Sequence, residues 1–143
     1  TARHPAWLVA IATGTACAAF GRLLGIDWPA FAPVLVAGSL GQFLRHRLFV
    51  AGINPFVVAA IVAACAGTLC GLSARAAGSD TVATATIASI LLLVPGVPAT
   101  NAQTDIMEGY PTVGSARAVG VVMKMVFAST GIWFADALLG VHR

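Results

Sequence analysis

One short polar segment carries the side chains that could bind a small charged solute. Asn101, Asp105 and Glu108 are spaced four and three residues apart. On a helix these spacings bring the three side chains to one face. Thr100 stands beside them at the start of the segment. Together they offer hydroxyl, amide and carboxylate groups to a polar ligand, although Glu108 suits an aqueous helix end better than a binding site.

Two cations follow this segment and could complete the site. Arg117 and Lys124 are seven residues apart, which is close to two helical turns, so they project on nearly the same side. This mixture of charges suits a small zwitterion or a small carboxylate. It also suits proton coupling through Asp105, since a buried carboxylate can have a strongly shifted pKa. Two simpler interpretations stay open: Asp105 and Arg117 form only a structural ion pair, or Lys124 only extends toward water.

The composition places these residues in a membrane protein. Of 143 residues, 59% are hydrophobic and 9% are charged, and the mean hydropathy is +0.92. A typical soluble domain has about 25% charged residues, which excludes an ordinary soluble globule, a disordered chain and a disulfide-stapled secreted domain. The class that remains is an all-α integral membrane protein in contact with the lipid bilayer.

Other classes of site and partner find no support in the sequence. The net charge of +3 comes from basic residues scattered at predicted helix ends, which does not indicate a nucleic-acid partner. Cys17, Cys65 and Cys70 lie in apolar runs and are interpreted as small packing residues. The sequence contains no G-x-S-x-G, H-E-x-x-H or C-x-x-C motif. We therefore expect no enzyme, no cofactor and no metal site.

Apolar runs separated by proline, glycine and charged residues predict five membrane-spanning helices. About 20 helical residues cross a hydrocarbon core, so we interpret residues 1–143 as a single five-helix transmembrane domain. Rows of small residues at four-residue spacing predict close helix neighbours in the first and third spans. The predicted spans are 7–24, 29–44, 56–72, a broken fourth span made of 81–94 and 99–108, and 114–139.

The fourth span is broken at Pro95-Gly96-Val97-Pro98. The stretch before it has 14 residues, about 21 Å of helix, which is too short to cross. Two prolines with a glycine interrupt the backbone hydrogen bonds, so we expect irregular backbone within the membrane, where it must be buried in protein or face a water-filled cavity. The N-terminal end of the second half-helix carries a partial positive charge that could assist anion binding. Lys124, about ten residues into the last span, is expected near mid-bilayer, where an ionisable group must face a partner or water.

The residues around the break belong to a longer pattern. Leu93-Val94-Pro95-Gly96-Val97-Pro98 is followed by Asn101-Ala102, Asp105, Gly109, Gly114 and Arg117. Weaker similarity runs over most of the chain, at Arg22-Leu23-Leu24-Gly25, Asp27-Trp28, Leu40-Gly41, Leu44-Arg45 and Gly52-Ile53-Asn54-Pro55-Phe56. In this pattern the chain resembles the threonine/serine exporter family.

The resemblance implies an exporter of small amino acids or, in related two-component members, of dicarboxylates, in the bacterial inner membrane. It implies five helices per half, a cytoplasmic N-terminus and a second five-helix half, fused or supplied by another subunit. Members usually carry a soluble domain ahead of the first helix, so this chain is expected to be one half of a larger transporter. Arginines weakly favour the same orientation, with Arg3, Arg45, Arg47 and Arg117 on the N-terminal side and Arg22, Arg75 and Arg143 on the other. The motif residues carried over by position are Pro95, Gly96, Pro98, Asn101, Asp105, Gly109, Gly114 and Arg117.

The leading hypothesis is a subunit of a secondary transporter that exports a small polar metabolite. Pro95, Gly96 and Pro98 form the helix break, and the predicted substrate-binding residues are Thr100, Asn101, Asp105, Arg117 and Lys124. Lys124 comes from the physical argument and not from the family pattern. Two alternatives remain: an oligomeric channel subunit whose pore is lined by the break, and a membrane scaffold that transports nothing.

Overall fold

The computed structural model describes residues 4–140, and all the regular secondary structure in that range is helical. The all-α prediction is thereby confirmed. Arg3 and Arg143, which entered the orientation argument, lie outside the described residues. The helices are α1 (Ala6–Leu23), α2 (Trp28–Val50), α3 (Pro55–Ala76), α4 (Val82–Ser89), α5 (Gly96–Met107) and α6 (Pro111–Leu139), with a 3₁₀ turn (Leu91–Leu93) between α4 and α5.

The second helix is longer than the sequence predicted. We expected it to end at Leu44, before Arg45-His46-Arg47, but α2 continues to Val50. The first residue that breaks the helical pattern is Gly52, whose φ of 76° suits glycine. The basic residues remain in the helix because Arg45 lies 5.4 Å from the ring of Phe49 and Arg47 lies 5.6 Å from that of Phe43, which are cation–π distances.

The count of five spans is not confirmed. Three of the described helices, α1, α3 and α6, are long and apolar enough to cross a membrane, and the α4–α5 pair makes a fourth if it is counted as one bent span. The other long helix, α2, has 23 residues but does not reach the same hydropathy. Pro29 in its first turn, Pro33 inside it and the polar residues Gln42, Arg45, His46 and Arg47 lower that value.

The short helix α4 lies at the centre of the bundle, in contact with α1, α2 and α3. Its buried residues are all small, which lets three neighbours approach closely. The Thr86 hydroxyl donates to the Val82 carbonyl over 2.9 Å and the Ser89 hydroxyl to the Thr86 carbonyl over 2.7 Å. The two buried polar side chains of this helix are therefore satisfied within α4.

The last helix runs parallel to α3. Successive contacts advance along both helices in the same direction: Phe56 with Phe127, Ala63 with Gly131, Gly67 with Ala135 and Gly71 with Leu139. A Cβ at Gly131 would lie 2.6 Å from Ala63 Cβ and would also meet the Ala60 carbonyl. The helix α6 therefore packs against the row of small residues in α3, as the four-residue spacing of that row predicted.

These contacts with α3 lie in the second half of α6. The helix has 29 residues, about 43 Å at 1.5 Å per residue. Its residues 111–126 come before Phe127, which contacts Phe56 in the first turn of α3, and α5 packs against α6. A two-helix arm made of α5 and the first half of α6 therefore extends past the N-terminal end of α3.

An Asp27-centred hydrogen-bond cluster closes the opposite end of the bundle. Asp27 Oδ1 accepts from the Ser79 hydroxyl over 2.7 Å and from the Thr81 hydroxyl over 3.1 Å. Its Oδ2 accepts from the Asp80 backbone N–H over 2.9 Å. The same carboxylate accepts from the N–H of Ala30, three residues into α2, as an N-cap does. This cluster fixes the start of α4 against the start of α2.

Candidate functional site

The break between α4 and α5 is formed by the residue pair Val94-Pro95. Proline disfavours helical backbone in the residue before it, and Val94 is extended, with φ −66° and ψ 118°. A 3₁₀ turn at Leu91–Leu93 tightens the chain just before this point, and such a turn inside a helical stretch often marks a hinge. The two segments meet at 57°. The predicted interruption of the fourth span is therefore present, and α5 begins at Gly96, three residues before the predicted start.

A tight turn then reverses the chain and pairs α5 with α6. Gly109 has a φ of 91°, a backbone conformation that favours glycine. Gly114 is buried at the contact between the helices, where a Cβ would lie 2.7 Å from the Ala102 carbonyl oxygen and 2.5 Å from Ile106 Cγ1. These two glycines of the motif therefore have structural roles: one permits the turn and the other permits close contact.

The close contact brings Asp105 and Arg117 together. Arg117 Nη1 donates to Asp105 Oδ2 over 2.6 Å. The Arg117 side chain is 51% exposed and that of Asp105 is 20% exposed, so the guanidinium still presents open surface beside its partner. The ion pair that the sequence left open as an alternative is thus formed, and one of its members also faces a cavity.

This cavity lies between α3, the break and α6. It has a volume of about 310 Å³ and is lined by Pro55, Phe56, Pro95, Pro98, Arg117, Gly120, Val121 and Lys124. Small-molecule sites range over about 300–1,000 Å³, so this one suits a small solute. Its only charged lining groups are the two cations. The structure therefore brings together Pro95, Pro98, Arg117 and Lys124, four of the residues that the sequence singled out.

The cavity lies nearer to the end of the bundle than to its middle. Pro55 and Phe56 form the first turn of α3 and face the break across the cavity. Lys124 lies one turn before Phe127, whose ring is 5.9 Å from that of Phe56. Lys124 thus lies close to the N-terminal end of α3, and its depth in the bilayer stays a prediction.

Two of the predicted ligands do not reach this cavity. Thr100 and Asn101 are exposed on α5 and are not among the lining residues. The Thr100 hydroxyl donates to the Gly96 carbonyl over 3.0 Å, which satisfies it within its own helix. Gly96 marks the first residue of α5 without lining the cavity. Of the predicted ligands, Arg117 and Lys124 line the cavity, and Asp105 contacts Arg117.

The N-terminal end of α5 offers few free donors. The Gly96 N–H donates to the Val94 carbonyl over 2.9 Å, and the Ala99 N–H donates to the Pro95 carbonyl over 3.0 Å. Pro98 has no N–H. At the break, the side chains of Arg117 and Lys124 therefore present more positive charge to the cavity than the helix end does.

Sequence reasoning missed the contribution of α3 to this cavity. Pro55 and Phe56 were recognised only as a helix start and as part of the family pattern. The signal that could have identified them is an aromatic side chain directly after the Asn54-Pro55 helix start. Asn54 caps α3, since its side-chain oxygen accepts from the Phe56 N–H over 2.9 Å. That cap fixes the backbone of Phe56, whose side chain lines the cavity. Across residues 4–140 no group of three or more His, Cys, Asp or Glu side chains could hold a metal ion.

Comparisons with known proteins agree with the pattern around the break. The family model described as "Putative threonine/serine exporter" matches residues 1–139. The chain is 33% identical to the "Probable succinate transporter subunit YjjP" of Klebsiella aerogenes, over 92% of this chain and 55% of that protein. It is 32% identical to the protein of the same name from Escherichia coli K12, over 92% of this chain and 56% of that protein.

The chain thus spans just over half the length of these curated relatives. No solved structure matches it. The family match covers nearly the whole chain, including the break and both members of the ion pair, and the apolar helices fit a multi-pass membrane protein. The chain belongs to the threonine/serine exporter family.

Proposed function

We propose that this chain is a subunit of a secondary transporter that exports small carboxylate-bearing metabolites, such as threonine, serine or small dicarboxylates. The observation that carries the proposal is the cavity at the break, with Arg117 and Lys124 in its wall. The relatives' names refer to succinate and the family description to threonine and serine. All three compounds carry a carboxylate, the group that two cations recognise.

Lys124 is proposed as the first contact of the substrate carboxylate. Its side chain is half-buried and lines the cavity. Among residues 4–140, the only salt bridge within 4.0 Å joins Arg117 and Asp105, so Lys124 has no carboxylate partner there. A cation beside apolar surface lacks compensation until an anion arrives. The apolar remainder of the wall, from Phe56, Val121 and the prolines, would contact the substrate's carbon chain.

The helix break is proposed as the moving element of transport. Irregular backbone at a membrane helix is tolerated where it is buried in protein or faces a cavity, and Pro95 and Pro98 face this one. Because Val94 is held extended by the proline that follows, α5 can change its angle to α4 without breaking a continuous row of helix hydrogen bonds. A scaffold that transports nothing has no need of such a break.

The subunit is proposed to act in the bacterial inner membrane, with a second membrane half supplied by the same protein or by another subunit. The relatives are named as subunits and are almost twice as long as this chain. The predicted five-helix domain is retained as part of this proposal. Proton coupling through Asp105 also stays a prediction.

Counterflow into membrane vesicles tests the proposal. Vesicles prepared from cells that express the chain in its complete assembly are loaded with unlabelled threonine or succinate, and labelled compound is supplied outside. A carrier accumulates label transiently against its gradient, and it saturates. Flux that never saturates and shows no counterflow would identify a channel instead, and absence of any flux above control vesicles would leave only a scaffold.

A further inference from the structure

The charge balance of the cavity depends on one residue outside it. Arg117 and Lys124 give the wall two positive charges, and Asp105 is in contact with Arg117 from behind the lining. With the ion pair formed, the site carries a net charge of about +1; with Asp105 removed, about +2. The two negative charges of a dicarboxylate balance the site with Asp105 removed. The one negative charge of a single carboxylate balances the site with the ion pair formed.

We propose that Asp105 is a specificity-determining residue that acts as an internal competitor for Arg117. This inference rests on the proposed function, and it concerns which carboxylates the site prefers. In the empty site Asp105 occupies Arg117, and Lys124 receives the first carboxylate of the substrate. A second carboxylate on the same substrate must compete with Asp105 for the guanidinium.

The geometry of the ion pair makes this competition feasible. The contact is a single hydrogen bond from Nη1 to Oδ2 and not a two-point fork. A guanidinium has five N–H donors, so most of those on Arg117 remain free for another acceptor. Half of the Arg117 side chain is exposed, and partly exposed ion pairs are weak enough to exchange partners.

A zwitterionic amino acid is affected in the opposite direction. Its carboxylate needs only Lys124, and its ammonium group is attracted by Asp105 and repelled by an unpaired Arg117. The Asp105 charge therefore favours amino acids and disfavours dicarboxylates. Exposed charge pairs contribute about 0.2–1 kcal/mol. Because the Asp105 side chain is only 20% exposed, we expect the upper part of this range, and removal of the charge should change the preference about two- to fivefold.

The test measures the ratio of succinate to threonine uptake in the same vesicles, for wild type and Asp105→Asn. We expect this ratio to rise two- to fivefold in the variant. The matched control is Glu108→Gln, which removes the same charge three residues later in the chain, just after the end of α5, where Glu108 is exposed. An unchanged ratio in Asp105→Asn, or an equal change in Glu108→Gln, overturns the inference.

A charge-swapped variant covers the case in which Asp105→Asn does not fold. Asp105→Arg combined with Arg117→Asp keeps an ion pair between α5 and α6 but puts a carboxylate in the cavity wall. We expect it to lower uptake of both compounds, succinate more than threonine. Equal uptake of succinate by this variant and wild type would contradict the inference. A wild-type protein without counterflow for either compound would refute the proposed function instead.

Discussion

Asp105 and Arg117 are twelve residues apart in the chain, and Asp105 Oδ2 lies 2.6 Å from Arg117 Nη1. The turn at Gly109 and the close contact at Gly114 make this pairing possible, since they hold α5 and α6 against each other. One ion pair thus joins α5 to the wall of the cavity. The net charge of that wall therefore depends on whether α5 holds Asp105 against Arg117.

Removal of the Lys124 charge tests the cavity as a carboxylate site. Hydrogen bonds to charged groups contribute about 1.5–3 kcal/mol, so Lys124→Met is expected to lower uptake at subsaturating substrate by about tenfold or more. Arg75→Gln is the control, because it removes an exposed cation at the far end of α3. Wild-type uptake by Lys124→Met would show that this lysine has no role in binding.

The two prolines of the break should behave differently. Pro95 forces Val94 out of the helical conformation, so Pro95→Ala is expected to straighten the α4–α5 junction. Pro98 lies in the first turn of α5, where a missing N–H costs little, so Pro98→Ala should leave the 57° bend in place. Distances between spin labels on the exposed positions Ala83 and Gln103 distinguish these results. The explanation fails if Pro98→Ala straightens the junction and Pro95→Ala does not.

The parallel contact between α3 and α6 can be tested at Gly131. A side chain there would meet the Ala60 carbonyl and Ala63 Cβ, and overpacking of this kind costs about 1–3 kcal/mol. Gly131→Val is therefore expected to lower the thermal unfolding midpoint in detergent. Gly120→Ala is the matched control for folding, since nothing lies within 4 Å of a Cβ at that position. Equal midpoints for the two variants would mean that α6 does not pack here.

The Asp27 cluster predicts a pH dependence of stability. The hydroxyl of Ser79, followed by the N–H of Asp80 and the hydroxyl of Thr81, lowers the pKa of Asp27. Because its pKa is lower in the folded state, the carboxylate stabilises the fold above the ordinary aspartate value of about 3.9. This contribution is lost as the pH falls through the folded-state pKa.

Thermal unfolding of Asp27→Asn in detergent checks this prediction. The variant should be less stable than wild type at neutral pH, and the difference should shrink as the pH falls below about 4. Asp80→Asn is the control, because Asp80 contributes only its backbone N–H to the cluster. If both variants lose the same stability at neutral pH, the carboxylate of Asp27 is not the source.

The distribution of basic residues predicts the orientation in the membrane. Arg45, Arg47 and Arg117 lie at one end of the bundle, with Lys124 close to them, and Arg22 and Arg75 lie at the other. Short loops rich in Lys and Arg remain cytoplasmic. We therefore expect the end that contains Ala51 to be cytoplasmic and the end that contains Ala77 to be external.

Labelling of single cysteines measures this orientation. In a background without Cys17, Cys65 and Cys70, an impermeant maleimide should label Ala77→Cys in intact cells and Ala51→Cys only after permeabilisation. Both positions are exposed. The reverse pattern would place the cavity on the external side of the membrane.

Sequence reasoning located the helices and the break because proline and glycine act locally. Val94 must be extended before Pro95, and Gly109 must turn the chain, whatever the rest of the fold does. The pairing of Asp105 with Arg117 was also within reach, since a short turn brings adjacent helices side by side. The end of α2 was wrong because charged residues do not stop a helix when aromatic neighbours support them.

The full lining of the cavity could not be predicted from the sequence. It depends on the parallel packing of α6 against α3, which is fixed by contacts such as Gly131 with Ala63, 68 residues apart. The row of small residues in α3 indicates a close neighbour without naming it. The position of Phe56 in the cavity wall therefore follows from the packing of α6 and not from the local sequence.

The helix α6 is continuous over 29 residues, so its contact with α3 and its contact with α5 belong to one rod. Gly131 packs against Ala60 and Ala63 of α3, and Arg117 pairs with Asp105 of α5. A change in the angle between α6 and α3 would therefore shift Arg117 relative to Phe56 and alter the width of the cavity that both residues line.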